Sequence, residues 1–257
     1  MMLIKDLNEN IISNNSKFIN RDNREKWIDN GIKFNGGQVI SSNLSGVNNW
    51  NTATPFSVNI IFKPTKIGNY EMIFTNWEDN IEGRNAFNID LRLNGTFWVS
   101  FQLTGIAGEP VTIPYKINET IVIGMTYDGS IMKVYKNGVF FDSVTTNRIV
   151  GDSNTVHIGA TGNRGIYSST AIIYDVKVFK KTLSQTEIVE LYNTRGKIVP
   201  TTATNDVLLD LGFEEKTGTI ANDKSGNSYN GSLIGFINTS LGSNNCHVDY
   251  TGQSINN

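Results

Sequence analysis

Apolar and polar side chains alternate along short stretches of this chain, and each stretch ends at a turn. The alternation is clearest in Phe56–Ile60, Ala86–Leu93 and Thr96–Leu103. Successive side chains of a strand point to opposite faces, so each stretch has one apolar and one polar face. Three dipeptides that favour tight turns separate strand-like stretches: Asn94-Gly95, Asp128-Gly129 and Asn137-Gly138. This spacing excludes a helical bundle and predicts an antiparallel sandwich or barrel.

The hairpin around Asn94-Gly95 shows how the register matters. A two-residue loop would place Phe97 beside Arg92 and mix the two faces. A three-residue loop, Asn94-Gly95-Thr96, pairs Leu93 with Phe97 and keeps each face uniform, with Gly95 left-handed. This register predicts that Trp98 lies opposite Arg92 on a polar face. The other polar residues of that face are Asp90, Asn88, Ser100 and Gln102.

Residues 121–144 are predicted to form a three-stranded meander. A two-residue turn at Asp128-Gly129 pairs Met125 with Met132 and Ile123 with Val134. The turn at Asn137-Gly138 then sets Phe141 opposite Val134. Both pairings give one continuous apolar face.

One helix is indicated, near residues 184–194. Ser184 and Glu187 have the spacing of a capping box, and Leu183 with Ile188 occupies the positions of a hydrophobic staple. Only one apolar stripe follows, so the helix is expected to be short and to lie against the sandwich.

Composition excludes several classes of protein. The 22 Lys and Arg residues against 24 Asp and Glu leave no broad basic field for a nucleic acid. The single Cys246 and the distant His157 and His247 exclude disulfide frameworks and multi-histidine metal motifs. No apolar run reaches the length of a membrane span or a signal-peptide core, so neither membrane insertion nor a Sec signal is expected.

Four segments together resemble a known family, the laminin-G-like or concanavalin A-like jelly rolls of bacterial and phage adhesive proteins. The segments are FSVNIIFKP (56–64), MTYDGSIMKVYKNGVF (125–140), VHIGA (156–160) and AIIYDVKVFKKTLSQTEIVELYN (171–193). The resemblance implies an all-β sandwich of two packed antiparallel sheets, one of them concave. It also implies binding of glycans or proteins at the concave face or at the loops of one rim.

The order of segments departs from that family at the C-terminus. The family's opening strand and Asp-x-Ser-Gly-Asn loop match residues 207–235, which follow the helix. We therefore expect a sandwich over residues 1–200 and a β segment over 201–257. That segment either begins a second repeat or completes this sandwich or a neighbour's, and about fifty residues cannot bury a core alone. Exchange of strands within a homo-oligomer is one form of the latter alternative.

Catalysis is not expected. Glycoside hydrolases of related fold need two carboxylates flanking the scissile bond. Asp90 is the only mid-strand acid on the polar face of the 86–103 hairpin. A hydrolase is kept as a minor alternative.

Aromatic residues among polar ones mark the candidate binding site, because a sugar ring presents an apolar face and a belt of hydroxyls. The hairpin provides Trp98, Arg92, Asp90, Asn88 and Gln102, and the rim loops provide Trp77 and Tyr167. The alternative is that the Trp98 side chain is covered by another strand, by the C-terminal segment or by a neighbouring subunit. Calcium is the candidate cofactor at the rim, with oxygen ligands from either Asp79 and Glu82 or Asp152 and Asn154.

These features predict a carbohydrate-binding or adhesion module of a phage virion or bacterial surface structure. The expected partner is a glycan or cell-surface receptor, and the expected location is a virion or the extracellular space. The alternative is a structural or assembly protein of a virion that binds other virion proteins and no glycan.

Overall fold

The computed structural model describes residues 27–28, 31–34, 38–41, 44, 54–77, 86–102, 110–146, 154–161 and 167–234. These residues form two antiparallel sheets and one α-helix, which confirms the predicted all-β sandwich. The strands are β1 (Trp27–Ile28), β2 (Gly31–Lys33), β3 (Gln38–Ser41), β4 (Phe56–Lys63), β5 (Glu71–Thr75), β6 (Ala86–Leu91), β7 (Thr96–Gln102), β8 (Val111–Pro114), β9 (Ile121–Tyr127), β10 (Ile131–Lys136), β11 (Val139–Thr145), β12 (Val156–Ile158), β13 (Ile172–Phe179), β14 (Val207–Leu211), β15 (Ile220–Ala221) and β16 (Gly231–Ile234). Helix α1 spans Gln185–Asn193, and a 3-10 turn spans Thr201–Ala203.

The two sheets have different strand orders. Sheet A runs β1-β2-β13-β4-β9-β10-β11, with β14 also paired to β13. Sheet B runs β15-β16-β3-β12-β5-β6-β7-β8. The alternation seen in the sequence turns one face of each sheet inward, where the apolar side chains form one core. Phe62 of sheet A, for example, meets Phe97 of sheet B edge to face at 5.6 Å.

The β6–β7 hairpin has a different register from the predicted one. Its three-residue loop is Leu93-Asn94-Gly95, so Leu91 pairs with Phe97 and Asp90 pairs with Trp98. The left-handed conformation of Gly95 is confirmed by its φ of 72°. The observed pairing is shifted by two residues from the predicted one, so the side chains of the paired strands keep their predicted faces. Leu93 now lies in the turn, where it is 64% exposed. The prediction that Trp98 lies opposite Arg92 was therefore wrong.

The meander also differs in register, and β11 lacks the predicted apolar face, since Phe141 is 41% exposed. Met132 pairs with Tyr127 and Val134 with Met125, because the Asp128 carboxylate accepts hydrogen bonds from two following backbone amides and widens the first turn. The second turn at Asn137-Gly138 forms as predicted. A β-bulge follows it and leaves Asp142, not Phe141, opposite Val134.

Helix α1 begins as the sequence predicts. The Ser184 hydroxyl accepts from the Glu187 amide, and the Glu187 side chain accepts from the Ser184 amide at 2.7 Å. The helix lies on the outer face of sheet A, where a Cβ added to Gly124 would come within 2.7 Å of Ile188. Only glycine leaves room for this close approach of helix and strand.

We expect Ser184→Ala to lower the free energy of unfolding by about 1 kcal/mol, because it removes the oxygen that caps the helix. Urea unfolding measures the change. Thr186→Ala, an exposed change within the same turn, serves as the control and should have little effect. Equal losses for the two variants would contradict a capping role for Ser184.

The C-terminal strands join both sheets of the same chain. Strand β14 pairs with β13 in sheet A, and β16 pairs with β3 in sheet B. The Asp223 carboxylate holds the loop between them by accepting from the amides of Asp210, Ser225 and Tyr229. This aspartate begins the Asp-x-Ser-Gly-Asn motif, so the motif fixes the path of the chain from one sheet to the other.

No helix within the described ranges is long and apolar enough to cross a membrane.

Candidate functional site

The outer face of sheet B carries a row of aromatic rings that begins on the β6–β7 hairpin. Phe97 and Val99 point into the core, so Trp98 points outward, where it remains partly exposed. Its neighbour across the hairpin is Asp90, which is fully buried. Arg92 follows β6 on the same face.

The guanidinium of Arg92 lies between two aromatic rings. Its Cζ is 3.6 Å from the ring centroid of Trp98 and 4.4 Å from that of Tyr70. Arg92 is also ion-paired with the Asp90 carboxylate. Cation–π attraction on both sides and the ion pair below fix this side chain, so it holds the two rings in place.

The row of rings continues through the two loops that precede β5 and β13. Tyr70 lies 6.5 Å from Tyr167 between ring centroids, and Tyr167 stacks on Trp77 at 6.2 Å with an interplanar angle of 21°. Tyr70 is 48% exposed and Tyr167 43% exposed. Trp98, Arg92, Tyr70, Tyr167 and Trp77 thus form one continuous surface, which we call the aromatic platform.

The platform tyrosines have an unusual backbone conformation. Tyr70 has a φ of 57° and Tyr167 a φ of 58°, a left-handed region that costs a non-glycine residue free energy. The surrounding contacts hold both loops: the Met72 amide donates to the Tyr167 carbonyl at 2.8 Å, and Glu71 accepts from Thr170 at 3.0 Å. The two loops are therefore fixed to each other, and the rings are preorganised.

Burial decides the electrostatics beneath the platform. It raises the pKa of Asp90 from 3.8 to about 6, although the charge of Arg92 and a hydrogen bond from it act to lower the pKa. The ion pair is therefore strongest above pH 6, where Asp90 is ionised. Below that pH the carboxyl loses its charge, and Arg92 loses its partner.

The remaining residues predicted for this face have different surroundings. Asn88 is buried, and its side-chain oxygen accepts a hydrogen bond from the Thr75 hydroxyl. It belongs to a buried polar layer on the outer side of the sheet and not to the exposed platform. Gln102 pairs with Ala86 at the end of β7, but its side chain lies outside the described part of the structure.

Three of the four predicted calcium ligands, Asp79, Glu82 and Asp152, lie outside the residues that the structure describes. Asn154 is described, and its backbone carbonyl accepts from the Leu44 amide at 3.0 Å. Within the described ranges, no group of three His, Cys, Asp or Glu side chains could hold a metal ion. Calcium binding stays a prediction.

Tyr70 joins the two predicted clusters and was not among the residues predicted from the sequence. Trp98 and Arg92 were assigned to the hairpin and Trp77 and Tyr167 to the rim, without any link between them. Tyr70 stands in a Gly-Asn-Tyr turn, much as Tyr167 follows a Gly-Asn-Arg-Gly-Ile stretch. The sequence signal that could have identified Tyr70 is an aromatic residue next to a Gly-Asn turn.

Residues 34–189 match the family model described as the concanavalin A-like lectin/glucanases superfamily. A comparison with curated proteins finds no match.

Three solved structures resemble this chain at low sequence identity. A candidate carbohydrate binding protein from Bacteroides ovatus has a TM-score of 0.57 and 14% identity, over 80% of this chain and 57% of that one. A NanB sialidase variant from Streptococcus pneumoniae has a TM-score of 0.50 and 18% identity, over 62% of this chain and 27% of that one. A heptameric SAP-like pentraxin from Limulus polyphemus has a TM-score of 0.47 and 17% identity, over 65% and 79%. At identities this low, the first two structures show a common fold alone.

Proposed function

The chain belongs to the concanavalin A-like lectin/glucanase superfamily, and on this premise we propose that it is a carbohydrate-binding module whose ligand lies on the aromatic platform. The observation that carries the proposal is the continuous contact from Trp98 through Arg92 and Tyr70 to Tyr167 and Trp77. Exposed rings held in this way cost a monomer free energy, so a ligand surface explains them better than packing does.

The chemistry of the platform suits a sugar. A sugar ring has an apolar C–H face that stacks on an aromatic ring and a rim of hydroxyls that need hydrogen-bond partners. Tyr70 and Tyr167 provide two exposed faces, and each also carries a phenolic hydroxyl at its edge. Because their loops are already fixed, binding orders little additional chain.

The carboxylates next to the platform favour binding over hydrolysis. Asp90 is ion-paired with Arg92, and Glu71 accepts from Thr170 and pairs with Lys66 at 3.4 Å. Both are buried, so neither reaches a bond of a ligand on the exposed rings. Hydrolysis requires two carboxylates flanking the scissile bond, one of them a proton donor.

The Bacteroides ovatus structure adds support of a weaker kind. It shares the fold over 80% of this chain, and the ligand class in its description is the one proposed here. At 14% identity its residues cannot be carried across to this chain, and the platform alone locates the proposed site.

The proposal is tested on a glycan array with the purified chain, followed by calorimetry with the glycans that bind. We expect Tyr70→Ala and Tyr167→Ala each to weaken binding about tenfold or more, because each removes a stacking face. We expect Trp98→Ala to weaken binding through the released Arg92 and Tyr70, with only a small change in melting temperature. Its indole is outside the core.

Phe141→Ala is the matched control, because Phe141 is an exposed aromatic of β11 in the other sheet. It should leave binding unchanged. Failure of every glycan to bind, or unchanged affinity in both tyrosine variants, would refute the platform as a sugar site. Release of shortened glycan by the unmodified chain would favour the hydrolase alternative.

We propose, further, that the glycan belongs to a cell surface and that the module serves a phage virion or a bacterial surface structure. That setting and the homo-oligomer stay predictions. A tight oligomer without any glycan binding would favour the structural or assembly alternative.

A further inference from the structure

A cavity of about 350 Å³ opens on the outer face of sheet A, on the opposite side of the sandwich from the aromatic platform. Its floor is formed by Asp175 and Lys177 of β13 and Asp210 of β14. Val176 and Leu209 of the same strands point into the core, so these three charged side chains point outward. The volume is within the range of about 300–1,000 Å³ that is typical of small-molecule sites.

The three floor residues form a buried ionic network. Lys177 donates to Asp175 at 2.7 Å and to Asp210 at 2.5 Å. Lys177 and Asp210 are direct partners in the β13–β14 pairing. A buried lysine between two acids is expensive to assemble, and replacing such a network by apolar residues is often neutral or stabilising. Its presence in a cavity therefore calls for a reason besides stability.

One oxygen of the network has no hydrogen-bond partner among the described residues. Asp175 is only 5% exposed, and this oxygen is its Oδ1. The turn after α1 closes over this oxygen: a Cβ added to Gly196 would lie 2.5 Å from Asp175 Oδ1. A buried acceptor without a donor is costly, which is a second indication that the network is kept for a reason besides stability.

The rim of the cavity carries both signs of charge. Arg195 and Lys197 follow α1, and Glu214 is paired with Lys224 at 2.7 Å. Ile61 and Tyr174 provide apolar parts of the lining. The lining thus combines hydrogen-bond donors, acceptors and apolar surface.

We propose that this cavity is a second binding site and takes one neutral sugar residue. A hydroxyl group both donates and accepts, so vicinal hydroxyls can donate to the exposed Glu214 carboxylate and accept from Lys197 or Lys224 at the rim. An anionic ligand would meet the carboxylates of Asp175 and Asp210, and a cationic one would meet Lys177. The site goes beyond the proposed function, because the platform on sheet B does not require it.

The experiment is NMR titration of the isotope-labelled full-length chain with single monosaccharides. The neutral probes are glucose, galactose, mannose and N-acetylglucosamine, and the charged probes are glucosamine and N-acetylneuraminic acid. We expect at least one neutral sugar to shift the backbone amides of Gly196 and Gly212, which border the cavity. Asp175→Asn should weaken that binding about tenfold or more, since it breaks the ionic network that lines the cavity while keeping the shape of the side chain.

Three further variants make the test decisive. Lys197→Ala changes an exposed rim residue and should weaken binding even if Asp175→Asn fails to fold. Lys216→Ala, an exposed change outside the lining, should leave binding unchanged. Trp98→Ala should also leave these shifts unchanged, which separates this site from the platform.

The proposal is overturned if no neutral sugar shifts the amide signals of Gly196 and Gly212, or if only charged sugars shift them. It is also overturned if binding survives both Asp175→Asn and Lys197→Ala. Loss of the shifts in Trp98→Ala would likewise overturn it, because the sugar would then act through the platform. Platform binding without cavity binding, or the reverse, would show which of the two proposals fails.

Discussion

A chain that ends at residue 205 is expected to aggregate and not to form a soluble sandwich. The deletion removes β14 from sheet A and both β15 and β16 from sheet B, together with the buried side chains Leu208, Leu209, Leu211, Phe213, Ala221 and Leu233. Loss of one buried leucine or phenylalanine side chain commonly costs about 2–5 kcal/mol. The whole stability of a domain is about 5–15 kcal/mol, so the remaining chain cannot hold the native fold. The exposed flanks of β13 and β3 then offer open edges for aggregation.

Soluble yield and size-exclusion chromatography measure the outcome, and point variants give a graded version. Leu211→Ala is expected to lower the free energy of unfolding by about 2–5 kcal/mol, because Leu211 is fully buried between the sheets. Ile220→Ala, in the same C-terminal segment but exposed, should cost little. A monodisperse 1–205 chain with an unchanged melting temperature would show that the C-terminal segment does not stabilise this sandwich.

The free energy of unfolding is expected to fall as the pH rises from about 4 to about 7. Burial raises the pKa of Asp175 to about 7, although the charge of Lys177 and a hydrogen bond from it act to lower the pKa. Protonation is therefore more favourable in the folded chain than in the unfolded chain, where the pKa is 3.8. The folded state gains stability from Asp175 below pH 4 and loses it as the pH rises through 7. From the pKa change, the loss is about 4 kcal/mol for Asp175.

Asp90 adds to the same trend over a narrower range, because its pKa rises only to about 6. Glu187 has the opposite sign. Burial acts to raise its pKa, but hydrogen bonds from Lys181, Thr202 and Ser184 outweigh it and lower the pKa to about 2. Its contribution is present above pH 4.5 and is lost as the pH falls toward 2. Stability is therefore expected to be greatest near pH 4 to 5.

Urea unfolding at pH 4.5, 6 and 7.5 tests this dependence. Asp175→Asn should flatten the slope between pH 4.5 and 7.5, because the amide does not titrate. Asp128→Asn is the control: Asp128 is exposed, and backbone hydrogen bonds, chiefly from Ile131, lower its pKa, so this change should leave the slope in that range unaltered. A free energy of unfolding that rises steadily to pH 7.5 would contradict the burial of an uncompensated carboxyl at Asp175.

Local patterns in the sequence determine the faces of the strands and the start of the helix. Alternation places Phe97 and Val99 inside and Trp98 outside whatever the partner strand is, because it depends only on the geometry of a single strand. The capping box at Ser184 depends on four consecutive residues and is present in the structure as expected. The four segments that resemble jelly-roll proteins likewise identified the family that the comparison shows.

Register depends on information that alternation lacks. A shift of two residues leaves every side chain on its face, so Asp90 opposite Trp98 and Arg92 opposite Trp98 are equally compatible with the pattern. Two features distinguish the observed register. The turn exposes Leu93 to solvent, and Arg92 lies between Trp98 and Tyr70. At Asp128 a side chain that binds the backbone widened the turn in the same way.

Only the tertiary structure brought the candidate sites together. Tyr70, Trp98 and Tyr167 come from three separate parts of the chain, and no local pattern relates them. Asp175 and Lys177 share one strand in the sequence, but Asp210 and Gly196 reach them through the path of β14 and the turn after α1. The sequence by itself determined which residues face outward, because that follows from the geometry of each strand. Which of those residues meet one another was decided by the pairing of distant strands and the closing of loops over them, which depend on the packing of the whole core.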